Sequence, residues 1–127
     1  ECRWVPLKVL APGIFFRGLG NLWLPVAHAE GRFLTASPEV LELLRSKGQI
    51  ALVYRMPDGE VPVYPADPNG AEAQVAGLTD PTGRILGMMP HPERFVRREQ
   101  HPHWRREGMP EEGLGLRIYR NAVEYFD

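Results

Sequence analysis

Apolar and polar positions change period several times along the chain, and each change predicts an element. Arg3 to Leu10 (RWVPLKVL) alternates and predicts a strand with Trp4, Leu7 and Val9 available for packing, while Pro6 argues against a central place in a sheet. Ala11 to Asn21 holds Pro12, Gly13, Gly18 and Gly20, so it predicts a loop carrying Phe15 and Phe16. Leu22 to Ala27 (LWLPVA) predicts a second short strand. Ser37-Pro38-Glu39 then opens a helix: serine suits the cap, proline the first helical position and an acid the positive end of the dipole. Val40, Leu43 and Leu44 form its apolar stripe and Gly48 ends it. Gln49 to Met56 predicts a strand, and Pro57-Asp58-Gly59 a tight turn with Val61 to Tyr64 as a candidate hairpin partner. Pro65 to Gly70 is a loop. Gln74 to Thr79 and Arg84 to Met89 predict strands around the turn Asp80 to Gly83, the second of them buried because Ile85 to Met89 is apolar. Leu114 to Phe126 predicts an amphipathic helix, with Leu116, Tyr119, Ala122, Val123 and Phe126 at helical spacing.

Composition narrows the class. A chain of 127 residues suits one domain, and 43% hydrophobic with 24% charged residues is ordinary for a globular protein. The net charge of -1 leaves no electrostatic footprint for nucleic acid or an anionic membrane. No apolar run approaches the length of roughly 20 residues that a membrane helix needs. The single cysteine, Cys2, makes no internal disulfide, and a reducing, cytoplasmic setting is the expectation.

The densest candidate chemistry follows the Gly83 to Met89 strand. Pro90 stops it, and His91 and Glu93 come next, an imidazole and a carboxylate two residues apart. An extended segment sets both on one side, as the base and orienting carboxylate of a nucleophilic triad require. The bland alternative is a surface turn with a partly exposed ion pair. His28 and Glu30 at the end of the second strand read equally as a structural hydrogen-bonded pair or as part of a site. His101 and His103 lack a third ligand at zinc spacing and read as an exposed loop. Asp67 to Gly70 reads first as a turn. Arg94, Arg97, Arg98, Arg105 and Arg106 read first as a solvated face.

Several of these stretches together carry a resemblance. Cys2 to Val5, LPVAHAEGRF at Leu24 to Phe33, DPNG at Asp67 to Gly70, VAGL at Val75 to Leu78, GMMPHPER at Gly87 to Arg94 and YRNAV at Tyr119 to Val123 occur in the order found in class I glutamine amidotransferases of the triad type. Within that class the chain is most similar to the glutaminase components of phosphoribosylformylglycinamidine synthases. The resemblance implies a flavodoxin-like α/β domain of three layers with a mostly parallel sheet, of which residues 1–127 are the C-terminal portion. It implies a Cys-His-Glu triad that hydrolyses glutamine and passes ammonia to purine biosynthesis, with His91 and Glu93 as its histidine and carboxylate. His28 and Glu30 would lie in a loop beside the active site. The family's Gly-x-Cys-x-Gly elbow is absent from this sequence, and Cys2, lacking flanking glycines, is not its counterpart. Asp67 and Ala71 depart from the asparagine and serine common in the family. The implied partners are glutamine, a synthetase subunit or domain and a small accessory subunit, with no nucleic acid and no membrane. No cofactor is implied in the glutaminase domain; ATP and magnesium belong to the synthetase. The alternatives are a non-catalytic docking subunit that has lost the nucleophile, and another amidase or peptidase of the same fold.

Overall fold

The computed structural model describes residues 1–127. Five strands, β1 (Cys2–Val9), β2 (Asn21–Ala27), β3 (Ile50–Tyr54), β4 (Val75–Thr79) and β5 (Leu86–Met88), make one sheet in the order β2-β1-β3-β4-β5. Three helices accompany it: α1 (Pro38–Ser46), α2 (Trp104–Glu107) and α3 (Leu114–Phe126). The α/β class agrees with the expectation, but the pairing among these strands does not. All four pairings are antiparallel rather than mostly parallel. Adjacent parallel strands need a crossover, and the crossover here, β2 through α1 to β3, joins strands separated by β1.

β1 is interior despite Pro6. Its pairing with β3 covers only Leu7 to Val9, opposite Tyr54 to Leu52, so proline stands where that ladder has not begun, and its carbonyl accepts from the Arg55 N–H at 3.1 Å. Two apolar clusters divide the interior, and register shifts of β3 against β4 between Ile50 and Val53 break the strict alternation of β3. Leu52, Tyr54 and Ala76 belong to a large cluster with Val5, Leu7, Phe16, Leu24, Phe95 and Ile118. Ile50, Val53 and Val75 pack instead against Leu41 and Leu44 of α1.

Both helical stripes are rotated from the expected lines. On α1 the half-buried residues are Leu41 and Leu44, while Val40 and Leu43 are exposed. Ser37 occupies the N-cap position without a side-chain cap bond. α3 has the expected bounds, but its buried line is Gly115, Ile118 and Asn121; Tyr119, Val123 and Phe126 are exposed. Asn121 explains the shift, because its amide Nδ2 donates to the carbonyls of Phe15 (2.8 Å) and Arg17 (2.9 Å), drawing a polar residue inward. The Val61 to Tyr64 hairpin partner does not form. Pro62 and Pro65 remove ladder donors there, and Val61, Val63 and Tyr64 stay exposed.

β5 is likewise not the buried strand expected. It lies at the sheet edge with β4 as its one partner, and Ile85 is 68% exposed. Its hairpin is held by Asp80. One carboxylate oxygen accepts from the Thr82 N–H and hydroxyl (3.0 and 2.6 Å), the other from the N–H groups of Arg84 and Ile85 (both 2.9 Å). These bonds, the Thr82 hydroxyl foremost, lower the Asp80 pKa to about 2. A carboxyl depressed on folding adds stability above its unfolded value of about 3.9 and loses it as pH falls through the folded value. Asp80→Asn is therefore expected to lower the urea midpoint at pH 6, and the two proteins to converge near pH 2; equal midpoints at pH 6 would refute this.

Candidate active site

The sheet curls so that the segment after β5 reaches the opposite edge. The Met89 N–H donates to the Ala76 carbonyl (2.9 Å), still in the style of the β5–β4 ladder. Two residues on, the His91 N–H donates to the carbonyl of Pro25 on the edge strand β2, at 2.7 Å. Proline tolerates an edge position, and its carbonyl here serves the segment carrying the histidine.

His91 is extended (φ -101°, ψ 91°), and Pro92–Arg94 then makes one 3-10 turn. The carboxylate thus stands on a tight turn rather than on a straight extended segment, and the pair still meets. His91 Nδ1 and Glu93 Oε1 are 2.6 Å apart. Burial raises the Glu93 pKa, but hydrogen bonds from its own backbone N–H and from His91 outweigh it, and the group sits below the usual carboxylate range. An ionised carboxylate only accepts, so the proton of this bond is on Nδ1. A neutral His91 then offers Nε2 as a free base. The two side chains remain 32% and 53% exposed, open to a reacting group from another segment. They line a cleft of about 470 Å³ with Phe15, Met88, Ile118 and Tyr119. A larger cavity of about 760 Å³ contains neither His91 nor Glu93.

His28 and Glu30 part company. His28 Nδ1 is 3.0 Å from Asn69 Nδ2, which also donates to the Gly31 carbonyl at 2.9 Å. With a carbonyl fixing the orientation of the amide, His28 Nδ1 accepts, and its proton lies on Nε2, buried without a partner. Burial is the first cause lowering the His28 pKa, and the His91 ring acts in the same direction. Glu30 is exposed and forms no ion pair. Gly31 permits the fit of this loop: a Cβ there would overlap the Met89 methyl group and lie 2.9 Å from His28 Cγ. The AHAEG loop therefore packs on the chain leading to His91.

The remaining candidates sort by burial. Asp67 is buried and caps its turn, accepting from the N–H groups of Gly70 (3.1 Å) and Ala71 (3.4 Å). The histidine loop is exposed only in part: Pro102 is exposed and His103 half-buried, but His101 is 2% exposed, with its ring 4.9 Å from Trp4, 5.0 Å from Trp23 and 5.3 Å from Phe95. Its aromatic neighbours made it a core residue, which spacing alone does not reveal. No group of three or more His, Cys, Asp and Glu side chains is arranged to hold a metal. Cys2 is exposed, and it lies on β1 rather than on a strand-to-helix elbow. Sequence reasoning missed the amide of Asn69, the carbonyl of Pro25 and the contact of α3 with the Glu93 turn. Only Asn69 left a trace, inside the DPNG stretch.

Comparison with known proteins gives a consistent picture. Residues 1–126 match the model of the CobB/CobQ-like glutamine amidotransferase domain. The chain is 48% identical over 128 residues to phosphoribosylformylglycinamidine synthase subunit PurQ of Dehalococcoides mccartyi, covering 98% of this chain and 48% of that protein. It is 39% identical to the subunit of the same name from Methanococcus maripaludis strain C5, covering 100% of this chain and 52% of that protein. The chain thus spans about half the length of the curated relatives it matches. Among solved structures, that of PurLQS from Thermotoga maritima aligns with a TM-score of 0.67 at 22% identity, over 100% of this chain and 48% of that one. This likeness is one of fold.

Proposed function

The chain belongs to the CobB/CobQ-like glutamine amidotransferase family, and from that premise we propose that it is part of the glutaminase component of a phosphoribosylformylglycinamidine synthase. In the complete protein, hydrolysis of glutamine to glutamate supplies ammonia for purine biosynthesis. The observation that carries the reading is the Nδ1–carboxylate bond between His91 and Glu93, which leaves Nε2 as the base. In this reading Nε2 takes the proton of a cysteine thiol supplied by a segment outside residues 1–127. The thiolate attacks the glutamine amide carbon, and the imidazolium returns the proton to the departing ammonia. Water then attacks the glutamyl thioester, with His91 again as base, and glutamate leaves. Glu93 holds the tautomer and stabilises the imidazolium throughout.

The similarity to PurQ subunits supports the substrate and the pathway, and the fold shared with PurLQS supports a synthetase partner, with a small accessory subunit beside it. The domain needs no cofactor of its own in this scheme, and ATP and magnesium serve the synthetase. Residues 1–127 form the C-terminal part of one glutaminase domain, at work in the cytoplasm. His28, held by Asn69, shapes the wall beside the reacting groups, and Glu30 faces outward near the route of ammonia or the synthetase contact.

The test compares two proteins. Residues 1–127 alone are expected to release no ammonia from glutamine above background, and the complete protein with its synthetase to release it steadily. Steady release by the 127-residue chain, abolished by His91→Ala, would overturn the need for an outside nucleophile. No release by the complete protein, with no thiol labelled by a glutamine-analogue alkylator, would favour the docking-subunit reading.

A further inference from the structure

We infer that Gly115, with Gly113 beside it, is a positioning residue that seats the Glu93 turn; this rests on the roles proposed above for His91 and Glu93. The first N–H groups of a helix have no partner within the helix and need one outside it. Gly113 is the N-cap of α3 and has no side chain with which to supply a cap bond. The partners come from the chain just after the catalytic pair: the Gly113 N–H donates to the Val96 carbonyl (3.1 Å) and the Gly115 N–H to the Phe95 carbonyl (2.9 Å). The same turn closes on itself through the Phe95 N–H and the Pro92 carbonyl at 3.0 Å.

The approach is close enough to exclude any side chain. A Cβ on Gly115 would overlap the Pro92 carbonyl oxygen and lie 2.7 Å from that of Phe95. A Cβ on Gly113 would overlap the Phe95 carbonyl oxygen and lie 2.6 Å from Phe95 Cδ2. The obstacles are mostly backbone atoms, which cannot swing aside as a side-chain tip can. Neither glycine has a positive φ, so the turn geometry alone does not call for glycine. Gly115 is buried, and Pro92, Glu93 and Arg94 lie directly on the start of α3. The middle of the helix is anchored as well, by Asn121 on the Phe15 and Arg17 carbonyls. A methyl group at Gly115 must therefore push the turn, and Glu93 with it, away from His91.

The experiment uses the complete protein with its synthetase. Gly115→Ala is expected to lower kcat for glutamine hydrolysis by about 10²-fold, the scale for a displacement near 1 Å, with KM little changed. It is also expected to move the acid limb of the kcat/KM–pH profile in the direction that Glu93→Gln moves it, and to add little when combined with that change. Gly20→Ala, at a glycine with open space around it, serves as the control. A wild-type pH profile for Gly115→Ala, with kcat lost only in proportion to folded protein, would overturn the positioning role. Should that variant fail to fold, hydrogen exchange on the wild-type protein decides. The Gly115 and Phe95 amides are expected to be protected as well as the interior of α3, and free exchange there would overturn the inference. If His91→Ala and Glu93→Gln leave hydrolysis intact, the triad reading itself fails instead.

Discussion

His91→Ala in the complete protein is expected to reduce glutamine hydrolysis by roughly four orders of magnitude, with little change in the KM for glutamine. The size follows from what one ring nitrogen does in the proposed scheme. A thiol at its ordinary pKa of about 8.5 is mostly protonated at neutral pH, and the departing amine must be protonated to leave. Without the imidazole both steps fall to water. In that scheme Nε2 acts on the thiol and the leaving group rather than on the glutamine carboxylate or ammonium, so KM is not the parameter expected to respond. Glu93→Gln should act in the same direction, because its amide cannot provide the ionised acceptor that now lies 2.6 Å from Nδ1. Steady-state ammonia release measures both. Near wild-type turnover for His91→Ala would remove His91 from the reaction.

The second large effect is on stability. Phe16→Ala is expected to cost about 3–5 kcal/mol, the range for deleting a fully buried aromatic ring. Phe16 is 0% exposed and sits in the principal core with Val5, Leu24, Leu52 and Ile118, although it comes from a loop. That loop is fixed at several points: the Phe16 N–H donates to the Pro12 carbonyl at 2.9 Å, and Asn121 holds the carbonyls on either side of the residue. So ordered a frame has little freedom to collapse into the space a removed ring would leave, which places the cost toward the top of the range. Urea unfolding should show a lower midpoint at an unchanged m-value. A loss below about 1 kcal/mol would mean that the loop rearranges to fill the gap.

The sequence was most legible where local chemistry decides the outcome. The bounds of α3, the turn at Asp80 to Gly83 and the meeting of His91 with Glu93 all depend on residues close together in the chain. Less was legible where distant partners decide. The apolar run Ile85 to Met89 reads as a buried strand, but its depth depends on how many strands flank it, and β5 has one. The stripe of α3 was misplaced by about one residue because Asn121 faces inward to meet two loop carbonyls. His101 gave no sign of its burial, since its aromatic neighbours Trp4 and Trp23 lie far back in the chain. For the candidate site, the meeting of His91 with Glu93 was readable, and the surfaces that hold the pair were not. Backbone carbonyls and the absence of a Cβ leave little pattern in a string of residue types.

The bond from the His91 N–H to Pro25 has a further consequence, for the order in which the molecule is made. Leu7 must find Tyr54, and Ile50 must find Leu78, before the two edges of the curled sheet approach each other. Such long-separation pairings are slow, because chain entropy is lost before the contacts repay it. His91 and Glu93 are neighbours on the ribosome, yet their platform exists only when the last edge closes. The setting of this pair is thus completed late in folding, and a partly folded chain carries both side chains without a frame to aim them.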